Sequence, residues 1–150
     1  MDNKAKTASK IYAFFADLRQ AFDSVNHDLL WKKLKMMGLS TKMIKNLAAF
    51  YAMLTLRLNT RDGWTKEVKI TKGVMQGDPL SPLLFILFLA DLPLIIPKNC
   101  GIKKGNINHN ILMYADDIAL LAQNRTFLKS GMKALTLLYC QWSSPKYQYI

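Results

Sequence analysis

Two adjacent carboxylates, Asp116 and Asp117, stand between Ile111-Leu112-Met113-Tyr114 and Ile118-Ala119-Leu120-Leu121-Ala122. Each flank is long enough for a short strand, and only Ala115 and the acidic pair separate them. A loop that short joins antiparallel strands, since a parallel connection needs a crossover of a dozen or more residues. The feature therefore commits the chain to an antiparallel hairpin whose tip holds two like charges beside apolar strands. Like charges held together repel, and burial disfavours their ionisation. A solvated turn relieves the repulsion, and so does a bound cation. All-oxygen ligands would select Mg²⁺ or Mn²⁺ over zinc.

A third carboxylate has a similar setting. Asp17 closes the apolar, aromatic run Ile11-Tyr-Ala-Phe-Phe-Ala16, which reads as a buried strand ending at Leu18. If this strand lies beside the hairpin, three carboxylates converge, and two divalent ions could clamp an in-line phosphoryl displacement. Alone, Asp17 is also compatible with an ordinary strand end. The stretch Gly73-Val-Met-Gln-Gly-Asp-Pro-Leu-Ser-Pro82 brings two glycines and the neutral amide of Gln76 to a helix start, where backbone can approach a ligand closely. It lacks the GK[ST] ending of a Walker loop.

The remaining elements follow from caps and periodicity. Asn26 caps a helix from His27 to Met37, with Leu30, Leu34 and Met37 on one face and Gly38 as its stop. Ser40 or Thr41 caps a second helix with Ile44, Leu47, Tyr51 and Leu54 inward. Leu54–Asn59 and Trp64–Thr71 form a hairpin around Arg61-Asp62-Gly63. Ser81 caps a central buried helix, Leu83–Leu92, with Pro82 at its first position. A last helix runs from Thr126 to Trp142. Interspersed helices and antiparallel strands make the class α+β.

Charge narrows the partners. The 150 residues carry 21 Lys and Arg against 10 Asp and Glu, a net +11, which favours polyanions and above all nucleic acid. The two cysteines, Cys100 and Cys140, form no CxxC pair, and His27 and His109 lack metal-type spacing. A disulfide framework and a zinc site are therefore not expected, and an intracellular, reducing compartment is the default. The longest apolar run, from Leu83, is broken at Asp91 and Pro93, short of a membrane span. No membrane association is expected.

Taken in order, the three segments resemble motifs A, B and C of reverse transcriptases of the non-LTR, LINE-type retrotransposons. Phe15-Ala-Asp-Leu-Arg-Gln-Ala-Phe-Asp-Ser-Val25 with Asn-His-Asp-Leu-Leu30 is similar to motif A, whose whole span is about residues 11–25. Residues 73–85 are similar to motif B, and Tyr114-Ala-Asp-Asp117, within 111–122, to motif C. The resemblance implies a polymerase palm with an antiparallel sheet packed on helices, as a single partial domain over residues 1–150. It implies RNA-directed DNA polymerisation: a primer 3′-hydroxyl attacks the α-phosphate of a dNTP on an RNA template, with two Mg²⁺ ions or Mn²⁺ in their place.

It also implies roles. Asp17 and Asp116 would be the principal metal ligands, and Asp117 would complete the cluster. Phe22 would be the steric gate that excludes a 2′-hydroxyl, which argues against an RNA-making enzyme. Gln76 and Gly77 would shape the nucleotide pocket, and Tyr114 would pack near the primer terminus. Asp23 and Arg19 receive no catalytic role. Residues 126–150 are a degenerate motif D region: Thr126–Trp142 looks like its helix, the residues from Ser143 to Ile150 match the rest poorly, and Lys146 is the candidate lysine. Few residues precede motif A and little follows motif C, so the fingers and thumb are expected to be largely missing and activity of the isolated chain weak or absent. The alternative is a non-catalytic, nucleic-acid-binding remnant.

Overall fold

The computed structural model describes residues 10–18 and 20–143. Arg19, Lys146 and the last part of the motif D region lie outside the described residues. The chain forms two compact units. The described residues of one fall within Met1–Arg19 and Asp91–Gln141, those of the other within Gln20–Ala90 and Trp142–Ile150.

In chain order the elements are β1 (Tyr12–Asp17), a 3-10 turn (Phe22–Ser24), α1 (His27–Met36), α2 (Thr41–Ala52), β2 (Thr55–Leu56), β3 (Asn59–Thr60), β4 (Gly63–Trp64), β5 (Val68–Lys69), α3 (Ser81–Leu89), α4 (Leu92–Ile95), β6 (Ile102–Lys104), β7 (Ile107–His109), β8 (Ile111–Tyr114), β9 (Asp117–Ala122) and α5 (Arg125–Ser143). Mixed helices and small antiparallel sheets agree with the α+β expectation.

The first unit is built on a three-stranded sheet, β1-β9-β8, antiparallel throughout. Its central strand β9 buries Ile118, Leu120 and Ala122 on one face. Tyr12, Phe14 and Ala16 pair with Ala122, Leu120 and Ile118, so they share that face. The alternate residues of β1 are exposed, and Phe15 is 79 % exposed. The expected buried strand is thus half-buried: an apolar sequence does not reveal that the pleat turns every second residue to solvent. Gly131 of α5 lies against Leu120 and the Cys100 thiol. A Cβ there would stand 2.9 Å from Cys100 Sγ and 3.5 Å from Leu120 Cδ1. Cys100 is itself fully buried, and its thiol donates to the Leu121 carbonyl at 3.1 Å.

In the second unit the expected caps are in place. Asn26 accepts the Leu29 N–H at 2.9 Å, Ser40 accepts that of Met43 at 3.3 Å, and Gly38 takes φ +93° just beyond α1. α1 packs on α2 and α3 and buries Leu30 and Leu34, whereas Met37 is exposed. Lys33 is also buried. Its ammonium donates to the Phe88 carbonyl at 2.7 Å and lies over the rings of Phe88 and Trp142 at 4.7 and 5.1 Å. A cation meeting a carbonyl in the last turn of α3 complements that helix's dipole.

Two readings of α3 need correction. Ser81 lies inside the helix, not at its cap: Leu80 occupies the cap, and the fully buried Ser81 hydroxyl meets Asp78 Oδ2 at 3.4 Å. The helix also stops at Leu89 and turns through Ala90 into the short α4, so the expected continuous helix to Leu92 is broken before Pro93. Pro93 cannot donate its backbone nitrogen to a continuing helix. Leu83 and Ile86 are more than half exposed, so α3 is not buried all round.

Candidate active site

The sheet register sets the geometry of the acidic residues. Asp17 is directly opposite Asp117 across β1 and β9, and Asp117 is directly opposite Tyr114 across β9 and β8. Directly opposed residues have Cβ atoms about 4.5–5.5 Å apart on one face. Tyr114, Asp117 and Asp17 therefore form one transverse row across three strands. The row behind it is Leu112, Ala119 and Phe15. Asp17, Asp117, Tyr114, Leu112 and Phe15 are all exposed, and the row faces an open depression of about 500 Å³. A charged and aromatic edge on an apolar floor, facing away from the buried side, is a surface prepared for something other than core packing.

Asp116 sits at the tip instead. β8 and β9 are joined by the two residues Ala115 and Asp116, and Ala115 takes φ +52°. Two-residue hairpins favour turns with a positive φ because their twist matches that of the strands. Alanine accepts this at a cost of about 1–2 kcal/mol. Asp117 thereby begins the strand, whereas the sequence reading placed the strand start one residue later. Asp116 is half-buried in the turn. Among the described residues, no group of three or more His, Cys, Asp or Glu side chains is gathered tightly enough to hold a metal ion. The register thus joins two of the three expected carboxylates, Asp17 and Asp117, and leaves Asp116 beside them in the chain. The donor chemistry of the opposed pair suits a hard cation: carboxylate oxygens only, with like charges face to face.

The second unit holds the other candidate residues. Phe22 is half-buried, and its ring stacks on that of the buried Phe85, centroids 4.6 Å apart at 19°. The segment after β1 is laced to the glycine-containing loop. The Gly73 N–H donates to the Val25 carbonyl at 2.8 Å, and the Val74 N–H to the Phe22 carbonyl at 2.8 Å. His27 Nε2 donates to the Gly73 carbonyl at 2.7 Å, and the Gln76 amide to Asp23 Oδ1 at 3.4 Å. Gly73 permits this lacing. It takes φ +89°, and a Cβ would stand 2.9 Å from both the Cα and the carbonyl oxygen of Asp23. Gly77 also has φ +89°, but nothing lies within 4 Å of a Cβ there, so its backbone is open to approach.

The sequence reading found Phe22, Gln76 and Gly77 but gave no part to His27, Asp23 or Phe85 in this arrangement. A histidine is visible in the sequence. Its carbonyl partner 46 positions away is not.

The family model described as reverse transcriptase (RNA-dependent DNA polymerase) matches residues 1–141. The chain is 36 % identical over 114 residues to the Retrovirus-related Pol polyprotein from type-2 retrotransposable element R2DM of Drosophila melanogaster, an alignment covering 75 % of this chain and 11 % of that protein. It is 31 % identical over 125 residues to the corresponding polyprotein of a type-1 element R2 of Nasonia vitripennis, covering 83 % and 12 %. Against the RNA-directed DNA polymerase from mobile element jockey of Drosophila funebris the identity is 35 % over 119 residues, covering 77 % and 12 %. The chain therefore spans about an eighth of the length of the curated relatives it matches.

Proposed function

The chain belongs to the reverse transcriptase (RNA-dependent DNA polymerase) family, and we propose that its three-stranded sheet is the palm surface on which a DNA primer is extended with dNTPs along an RNA template. The observation that carries this reading is the direct opposition of Asp17 and Asp117, flanked by Tyr114, on the exposed face. Two carboxylates opposed on a sheet destabilise it unless neutralised. Their opposition at a solvent-facing position is relieved by a cationic ligand.

Asp17 and Asp117 would hold divalent ions, with Asp116, the adjacent turn residue, supplying the third carboxylate. Two Mg²⁺ ions, or Mn²⁺ in their place, would lower the pKa of the primer hydroxyl and neutralise the charge that develops on the pyrophosphate. Tyr114 offers a ring against the primer terminus. Phe22, braced by Phe85, would serve as the steric gate against a 2′-hydroxyl, so that deoxynucleotides are preferred over ribonucleotides. Gln76, oriented by Asp23, and the open backbone of Gly77 shape the nucleotide pocket. The excess of positive charge attracts the template–primer, with affinity falling steeply in salt.

The test is primer extension on poly(rA)/oligo(dT) with Mg²⁺, by the chain itself and by an R2-type relative whose matching segment is replaced by it. Extension by the chimera is expected to prefer dNTPs and to be abolished by Asp17→Asn or Asp117→Asn. Extension indifferent to both substitutions would refute the proposal. A second reading, a non-catalytic nucleic-acid-binding remnant, is favoured by the lack of a three-carboxylate group among the described residues. It requires binding that ignores Mg²⁺ and an inactive chimera.

A further inference from the structure

Between α2 and Gly73 the chain makes a ribbon that the palm reading does not use. β2 pairs with β5 and β3 with β4. Between them the Thr65 N–H donates to the Leu58 carbonyl and the Leu58 N–H to the Thr65 hydroxyl, both at 2.9 Å. Leu58 to Leu56 spans two residues on one strand, while Thr65 to Val68 spans three on the other. The ribbon therefore carries an extra residue opposite Arg57. Its two faces differ. Leu56, Leu58 and Val68 project from one. Arg57, Asn59, Trp64 and Lys69 project from the other, where Asn59 is directly opposite Trp64 and Thr55 opposite Lys69.

An isolated two-stranded ribbon is marginally stable in water. Every residue from Thr55 to Lys69 except Thr65 is exposed, and the Trp64 indole is 64 % exposed. An indole held out on such a ribbon does nothing for a core. The Arg57 guanidinium stands over it, 5.9 Å from the ring. The ribbon has four basic side chains, Arg57, Arg61, Lys66 and Lys69, against Asp62 and Glu67.

We propose that the ribbon Leu54–Ile70 binds single-stranded nucleic acid, with a base stacked on Trp64 and the backbone phosphates met by Arg57 and Lys69. A ring with a cation beside it matches a base with its phosphate, because stacking and charge neutralisation then occur together. A single strand is specified because a paired base in a duplex does not offer its face. The net positive charge favours a polyanion over an apolar protein partner. None of the aspartates of the sheet takes part in this binding.

The whole chain is titrated into fluorescein-labelled dodecameric oligo(rU), with fluorescence anisotropy as the readout. Trp64→Ala is expected to weaken binding about tenfold, whereas Trp64→Phe, which keeps a ring, retains most of the affinity. Arg57→Ala is expected to lower the salt slope by about one. The loss in Trp64→Ala is expected to be the same with and without Mg²⁺, so the outcome is independent of the palm reading. Undiminished binding by Trp64→Ala overturns the proposal, and so does a loss in Trp64→Phe equal to that in Trp64→Ala. Self-association lost in Trp64→Ala, with no oligonucleotide binding by the wild type, assigns the ribbon to contacts between copies and likewise overturns it.

Discussion

Replacing Gly73 by alanine probes the lacing that joins the segment after β1 to the glycine-containing loop. Two costs add. At φ +89° an L-residue is strained by about 1–2 kcal/mol. The new methyl would also lie 2.9 Å from both the Cα and the carbonyl oxygen of Asp23, where carbon contacts settle at about 3.5–4.0 Å. Those are backbone atoms, fixed by the bonds from Gly73 to Val25 and from Val74 to Phe22, so no side chain can swing aside. Overpacking of this kind costs about 1–3 kcal/mol. The total is about 2–5 kcal/mol. Gly77→Ala is the matched control: its φ is also +89°, but its Cβ would enter open space, so only the first cost applies. Urea unfolding followed by circular dichroism should therefore separate the two variants by about 1–3 kcal/mol. If Gly73→Ala lies within about 0.5 kcal/mol of Gly77→Ala, below the smallest overpacking cost, the close approach to Asp23 is not an energetic constraint and the reasoning fails.

The opposed carboxylates make a second case. Asp117→Asn should raise stability by about 0.2–1 kcal/mol without divalent ions, and it should remove the rise in melting temperature expected of the wild type with Mg²⁺. Differential scanning fluorimetry with and without Mg²⁺ reads both. Lys33→Met keeps the apolar stem but loses a charged hydrogen bond to the Phe88 carbonyl, a cost of about 1.5–3 kcal/mol in the same unfolding assay. In thiol labelling, the exposed Cys140 should react well before Cys100, whose thiol burial pushes above its ordinary value of 9.0. The unfolded thiol ionises first. The stability this group contributes is thus present below pH 9 and lost as pH rises through the higher folded value, and Tyr51, raised from 10.0 by burial, acts in the same direction. Unfolding free energies across that alkaline range check the sign.

Local rules written in short stretches of sequence carried over well. Asn26, Ser40 and Gly38 act where their side chains or backbone freedom place them, because a cap depends on residues three or four apart. The acidic hairpin was legible because its connection is too short for any other topology. Long-range consequences were not. Nothing local says that Phe15 faces solvent while Phe14 does not, that the Ser81 hydroxyl is buried beside Asp78, or that His27 reaches Gly73. The hairpin of β6 and β7 escaped notice although Gly105-Asn106 is a recognised turn pair, with Gly105 at φ +62°. Asn124, which accepts the Phe127 N–H at 2.8 Å, escaped notice as the cap of α5. The candidate site was legible as a set of residue types. Its division into an opposed pair and a separate tip residue emerged only with the register.

The contact of Gly131 with Cys100 bears on how this chain can change over generations. A Cβ at 131 would stand 2.9 Å from the Cys100 sulfur, so alanine there requires that thiol to shift while cysteine is kept. Shorten Cys100 to alanine and the vacated space admits a methyl from the helix. Each position thus sets what its neighbour tolerates, and substitutions harmful singly become acceptable in pairs. A paired library at 100 and 131 should recover small-large and large-small combinations and reject large-large ones.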